Sequence, residues 1–470
     1  MTELHQKKRD PLWVYAVVGA LLIGLYLVFN FELGGGTRPK GSVEEIADLS
    51  QRTDLNVLFI LVDTLRADRM GSYGYDRPTT PNLDELASSG IRFDRQISQS
   101  SWTKTSMASI WTGMYPSRHG IHNHSHGVSE EARMPAEIFS DHGFVTAGIW
   151  RNGWVAPTFG FEQGFDIYIR PNPTRSPLDD PGSHPSHRVL EGTDDDLMFA
   201  AIEFLRAHRN DRWFLYLHFM DLHQYVSDDD SALFGTSYSD TYDNSIRRED
   251  RLIGELEGVL ESAGLLERTL IVLTSDHGEA FREHGKEGHA KDLYGEVIHV
   301  PLIIGLPFEL EDGIVVREST ANVDIWPTLY ELLGMEGPSG VDGKSLVDAI
   351  HRAGGGAPPA SSERPIFSEL DRTWGRVGLD PDPLVVLTQG DWRFMHDFGQ
   401  PEKNELYDLR SDPGEQKNRL SENGEDARSW QEITRQHREE SELFWESPVP
   451  EVELDEMELN HLRALGYDIH

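Results

Sequence analysis

Three apolar runs of this 470-residue chain end in an acid. NVLFILVD ends at Asp63, WFLYLHFMD at Asp221, and TLIVLTSDHG runs into Asp276-His277. Carboxylate oxygens and an imidazole nitrogen at such positions suit Mg²⁺, Ca²⁺, Mn²⁺ or Zn²⁺. A single acid there is ordinarily a helix cap or a turn residue. Its recurrence beside a histidine points to a metal centre. Hydroxyls for nucleophilic chemistry come from SSWTKTSMASIWTGMYP, which reads as the start of a helix. A metal-bound Thr103 would attack an ester, and the helix N-terminus would favour an anionic group there. From the residues alone, Thr103 reads first as an N-cap. His218 and His223 lie at the end of the run that closes at Asp221, His284 and His289 follow Asp276-His277, and these histidines could ligate a second ion, donate protons or clamp ester oxygens. Asp221 is a weaker candidate for the same work. The four histidines of HGIHNHSHG (119–127) read as surface residues rather than a metal loop.

Positioning these groups requires a layered core. The acid-terminated runs, with VTAGIW (145–150) and VPLIIGL (300–306), read as buried strands of a mostly parallel sheet. Helical patterns cover 79–90, 242–263 and 324–333, with Gly90, Gly264 and Gly334 at their ends. Alternating strands and helices give an α/β fold with helices on both sheet faces and functional groups beyond the strand C-termini. Residues 170–192 read as a long surface loop. GGGAPPASSERP leads from a domain over 55–360 into a smaller α+β subdomain over 361–470. That subdomain carries strand candidates PIFSEL, LVVLTQ and WRFMHDF and a polar helix over 425–445.

The net charge of −37 argues against a nucleic-acid partner, because phosphate backbones are bound by Lys and Arg. The acidic runs at 194–196 and 228–230 read as solvated surface. With no cysteine, disulfides, Fe–S clusters and thiolate zinc sites are excluded. Near the start, Lys7, Lys8 and Arg9 precede an uncharged apolar stretch over 12–29. Its length and the basic flank predict one transmembrane anchor over 11–31, a cytoplasmic tail over 1–10 and an exported bulk at the cell membrane. A cleaved signal peptide is the rival, but its apolar region is usually shorter. Residues 32–54 read as a tether with a short helix in SVEEIADLSQR.

NVLFILVDTLRAD, SxASIWTGMYPSRHG, LIVLTSDHGE and ELYDLRSDPGEQKN together resemble the sulfatase family of the alkaline-phosphatase superfamily, in that family's order. The resemblance implies an alkaline-phosphatase/sulfatase-like sandwich around the sheet. It implies a divalent metal held by Asp63, Asp276 and His277, with His223 and His289 reaching toward the ester. It places Thr103 where sulfatases carry the Cys or Ser that becomes formylglycine. Thr103 cannot undergo that conversion. Thr105 stands where the family has Pro, Met107 where it has Arg, and IWRNGW lacks the family's Lys and His; Lys104 or Asn152 are the residues at hand to compensate. Thr64 replaces one of the family's paired acids.

The expected function is hydrolysis of a small-molecule or glycan sulfate or phosphate ester outside the cytoplasm, with Thr103 as nucleophile and metal ligand. The alternatives are an envelope phospho-alcohol transferase and an inactive pseudo-sulfatase that binds a glycan or protein.

Overall fold

The computed structural model describes residues 38–171, 192–360, 364–376, 378–454 and 456–464. The anchor expected over 11–31, the tail before it and most of the loop expected over 170–192 lie outside the described residues. No helix among the described residues is long and apolar enough to cross a membrane.

The strands are β1 (Asn56–Val62), β2 (Ile91–Ile97), β3 (Val145–Ile149), β4 (Ile167–Ile169), β5 (Trp213–Phe219), β6 (Thr269–Thr274), β7 (Ala280–Phe281), β8 (Glu287–Gly288), β9 (His299–Val300), β10 (Leu302–Gly305) and β11 (Ile314–Ala321). Except for the β7–β8 ribbon they form one sheet of order β11-β2-β10-β6-β1-β5-β3-β4, with β9 beside β2. β1 sits centrally, parallel to β5 and β6. Its residues alternate between faces. Val57, Phe59 and Leu61 join one core and Leu58, Ile60 and Val62 the other. Both faces are covered, so the strand reads as an unbroken apolar run.

The second core is closed by helices α1 (Pro81–Ser89), α4 (Asp194–Ala207) and α5 (Tyr238–Ser262). The first is closed by α2 (Thr103–Thr112), α3 (Pro135–Asp141), α6 (Ile325–Leu332) and α7 (Val347–Gly354). The expected sandwich is therefore present.

Three sequence readings change. VPLIIGL divides into β9 and β10, and β10 runs antiparallel to β6 and β2. The chain leaves the C-terminal end of β6 and re-enters the sheet at that same end, which dictates the reversal. β2 and β11 are strands that the sequence hides, since both interrupt their apolar residues with charged ones near one margin of the sheet. The run at 194–196 is solvated only at Asp195: Asp194 is fully buried, and Asp196 closes a capping box with Thr193 at the start of α4.

The C-terminal part forms an antiparallel sheet of β12 (Ile366–Asp371), β13 (Pro383–Gln389), β14 (Trp392–Asp397) and β15 (Glu405–Asp408), with α8 (Gly424–Glu440) against it. This sheet grips the segment entering α2. Ser368 Oγ donates to Ser98 O at 2.5 Å, and Glu369 N to Gln99 O at 2.8 Å.

Candidate active site

Asp63 follows β1, and its amide continues the ladder by donating to Phe219 O at 3.1 Å. Thr64 then turns the chain at φ 63°, a left-handed conformation that costs a β-branched residue about 1–3 kcal/mol. Three bonds hold it there. Thr64 Oγ1 donates to Asp63 O at 2.6 Å, Thr64 N to Asp276 Oδ1 at 3.3 Å, and Tyr242 Oη to Thr64 O at 2.6 Å. The strained turn thus joins the ends of β1 and β6.

Asp63 Oδ2 accepts from Asn152 Nδ2 at 2.6 Å and from His218 Nε2 at 3.1 Å, while Oδ1 is buried without a donor. Asp276 Oδ1 accepts from His277 N at 2.9 Å, and Asp276 Oδ2 is likewise buried without a donor. His277 Nδ1 bonds Gly278 O at 3.0 Å. A carbonyl only accepts, so Nδ1 carries the proton and Nε2 offers its lone pair. One ligand atom each from Asp63, Asp276 and His277 lies within 4.8 Å of the others, all buried. Such spacing lets one small cation touch all three at about 2.0–2.6 Å. Two orphaned carboxylate oxygens and an aimed imidazole fit a divalent metal. The donors are oxygen and nitrogen only.

The electrostatics agree. Burial pushes the Asp63 carboxyl up, but His218, His223 and His277 outweigh it and hold it well below the usual range. Asp276 is pushed up to about 7 by burial and by the Asp63 charge.

Thr103 is the first residue of α2, not its N-cap. Trp102 occupies the cap position in extended conformation and makes no side-chain cap bond. Thr103 Oγ1 instead lies 3.1 Å from His277 Nε2, with Asn152 Nδ2 at 3.5 Å. The Asn152 amide cannot be reversed without loss, because its Oδ1 accepts from Trp154 N at 2.9 Å. Of the two residues expected to compensate for lost contacts, Asn152 therefore enters the site. Lys104 turns away: its Nζ bonds His124 O at 2.7 Å and lies 3.5 Å from the centre of the Phe159 ring.

His289 packs beside both partners, its ring centre 4.5 Å from that of His277 and 4.9 Å from that of His223. Burial lowers both His223 and His289, the latter to about 4. His289 Nδ1 meets Glu279 Oε2 at 3.3 Å. Glu279, pushed up to about 7 by burial, is a site residue that sequence reasoning missed; its place three residues after Asp276 was the available signal. His218 joins the site through Asp63. His284 does not, because it bonds Glu296 at 2.7 Å and Glu415 O at 3.0 Å.

Asp221 is also elsewhere. It accepts from Arg151 and, at 2.7 Å, from Arg248, while Asp194 accepts from Arg151 at 2.8 Å and from Asp221 N at 2.6 Å. With Glu249 these acids form a second close trio, but the Arg151 and Arg248 guanidinium groups already occupy it. The 119–127 histidines are not a free surface cluster either. His119 is fully buried against Ser109, and His124 and His126 bond Trp374 O and Gly120 O.

Comparison with known proteins defines the class. A sequence profile of the sulfatase family matches residues 55–335, more than half of the chain, and the chain belongs to that family. It is an ester hydrolase of the sulfatase type. Arylsulfatase A of Homo sapiens is 26% identical over 424 residues, covering 78% of this chain and 83% of that protein. The ulvan-active sulfatase of Formosa agariphila is 25% identical over 421 residues, covering 81% and 80%. A structure solved with D-glucosamine-2-N,6-O-disulfate superposes with a TM-score of 0.64 at 19% identity, covering 84% of this chain and 100% of that one. The phosphonate monoester hydrolase of Agrobacterium radiobacter gives 0.62 at 20% identity, covering 82% and 96%.

Proposed function

We propose that the chain is a metal-dependent hydrolase of sulfate or phosphate esters in which Thr103 is the nucleophile, acting on a small-molecule or glycan ester outside the cytoplasm. The observation that carries this reading is the hydroxyl of Thr103, which lies 3.1 Å from His277 Nε2 rather than capping its helix. Asp63, Asp276 and His277 would hold the cation, with Thr103 Oγ1 beside them. The cation supplies charge that polarises the ester and lowers the pKa of a bound hydroxyl. The Asn152 N–H and the N-terminus of α2 favour negative charge on the transferring group. His223 and His289 stand beside His277 and would be the groups to meet the ester oxygens and the leaving alcohol.

The steps balance simply. Thr103 Oγ bonds to sulfur or phosphorus as the alcohol oxygen departs, and the Thr103 proton ends on that alcohol. Water then cleaves the Thr103 ester and returns a proton to Oγ, releasing sulfate or phosphate. The sulfated substrates named for relatives support a sulfated glycan. Threonine itself favours the phosphoryl branch, because a metal site can hydrolyse a phosphothreonine while the formylglycine route is closed. The apolar segment over 11–31 and its basic flank support a single-pass anchor with the catalytic part exported.

The test is turnover of aryl sulfates and aryl phosphate mono- and diesters with a panel of divalent metals, on the full chain and on Thr103→Ala and Thr103→Ser. Thr103→Ala is expected to lose at least ~10³-fold in kcat while Thr103→Ser keeps measurable activity. Undiminished turnover by Thr103→Ala sinks the proposal. Protease protection in intact cells tests the exported location.

A further inference from the structure

Lys104, the second residue of α2, is fully buried next to Thr103. Lysine is almost never taken wholly out of water unless an acid pairs with it. Here burial alone sets the environment. It pushes the amine well below the ordinary lysine range, and no carboxylate among the described residues offsets it. The Lys104 Nζ donates to His124 O at 2.7 Å, and lies 3.5 Å from the centre of the Phe159 ring and 5.2 Å from that of Trp154. One polar bond and two aromatic faces do not offset the burial of an amine, so the fold alone does not account for a lysine at this position.

What the amine touches leads back to the site. The backbone N–H of Trp154 donates to Asn152 Oδ1 at 2.9 Å. That bond sets which end of the Asn152 amide faces inward, and Nδ2 then reaches Asp63 Oδ2 at 2.6 Å and Thr103 Oγ1 at 3.5 Å. The Trp154 ring also meets Phe159 at 5.6 Å, and Trp102, the residue before Thr103, edge-on at 5.2 Å and 81°. Trp102 is stacked in turn by Trp374, which lies after β12, at 6.1 Å and 18°. Trp374 O accepts from His124 N at 2.9 Å. The circuit closes at Lys104, whose Nζ holds the carbonyl of that same His124. Three segments therefore meet at one amine: the start of α2, the 119–127 loop and the loop that carries Asn152.

We propose that Lys104 is a positioning residue, which braces Trp154 and so fixes the Asn152 amide against Asp63 and Thr103. Its own amine faces His124 and the two rings rather than the site. A misplacement of about 1 Å in a group beside the reacting atoms costs on the order of 100-fold in rate, which is the effect a slack Trp154 would have. The role rests on the ester-hydrolase reading of the Thr103 site above.

The test is a double-mutant cycle between Lys104 and Asn152 on the full chain, with the divalent metal and the aryl ester that the unaltered chain uses best. Lys104→Met fills the same aromatic surroundings without a donor. It is expected to lower kcat about 10–100-fold while KM stays within about 3-fold. It should nonetheless melt at the same temperature or about 1–3 °C higher, because an unpaired buried amine is gone. Lys104→Gln, whose amide can still donate to His124 O, should recover part of kcat. In an Asn152→Ala background, Lys104→Met should cost no more than about 2-fold, since the group it positions is already absent. Losses that multiply, a loss confined to KM, or a lower melting temperature for Lys104→Met overturn the proposal; the last would mean that the amine serves the fold. Turnover that survives Thr103→Ala, or none from the unaltered chain, would instead remove the underlying reading, and the proposal with it.

Discussion

Asp63 and Asp276 face each other across the neighbouring ends of β1 and β6, each with one buried carboxylate oxygen that no donor reaches. Without a cation this is a repulsive pair: Asp63 keeps its charge and Asp276 is pushed up to about 7 by burial and that charge. The arrangement trades stability for binding. Asp276→Asn should raise the melting temperature in EDTA by on the order of 1–3 °C. The same variant should lose the stabilisation that metal gives the unaltered chain, about 2.7 kcal/mol at a hundredfold excess over Kd. Thermal melts with and without divalent metal read both effects.

His218 controls which oxygen of Asp63 is presented. The Tyr216 phenol, kept protonated by burial, bonds His218 Nδ1 at 2.6 Å, which leaves Nε2–H to occupy Asp63 Oδ2. His218→Ala should weaken metal binding about 10–100-fold, as expected when a ligand loses its supporting bond. His218→Gln, whose amide can still donate, should recover part of it. Calorimetric metal titration is the measurement.

The Arg151 network is structural, and breaking it should be costly. Arg151 is buried between Asp194 and Asp221, and its replacement by Met leaves two buried carboxylates short of a counter-charge. A loss of about 3–5 kcal/mol is expected in denaturant unfolding. Because Asn152 is the next residue, activity should fall as well, even with metal saturating.

His284 makes stability depend on alkaline pH. Burial lowers it, but the bond to Glu296, the Glu415 carbonyl and both acidic charges prevail and raise it to about 9. The unfolded value is near 6.5. The folded form therefore binds the extra proton, and the contribution is fully present below pH 6.5 and lost as pH rises through 9. His284→Gln should flatten the stability profile in that window, read by unfolding at pH 6 and pH 9.5.

Asp63 and Asp276-His277 were legible because a buried strand is an unbroken apolar run, and its end marks where a side chain meets the site. Thr103 was legible as a hydroxyl at a helix start, but whether that hydroxyl caps the helix or turns toward His277 is decided only by the direction of Oγ1. Asn152 and His218 take their roles from side chains on other elements, a proximity that no local pattern encodes. Asp194 shows the limit most plainly. An acidic run reads as surface unless the arginines that meet it are seen, and Arg151 lies 43 positions from its partner Asp194 and Arg248 53 from its partner Asp195. The β2 and β11 strands were hidden by charges that the margin of the sheet tolerates.

The seam between the two sheets has a consequence for how such enzymes can be recombined. Ser368 and Glu369 of β12 hold Ser98 and Gln99, a few residues before Thr103, and Trp374 stacks on Trp102. The last hundred residues are therefore a mould against which the catalytic segment is cast. A chimera that borrows this portion from a cousin would inherit a new seat for Thr103 along with any new selectivity. Modular exchange at the linker after residue 354 should succeed only when both sides of that seam are carried across together.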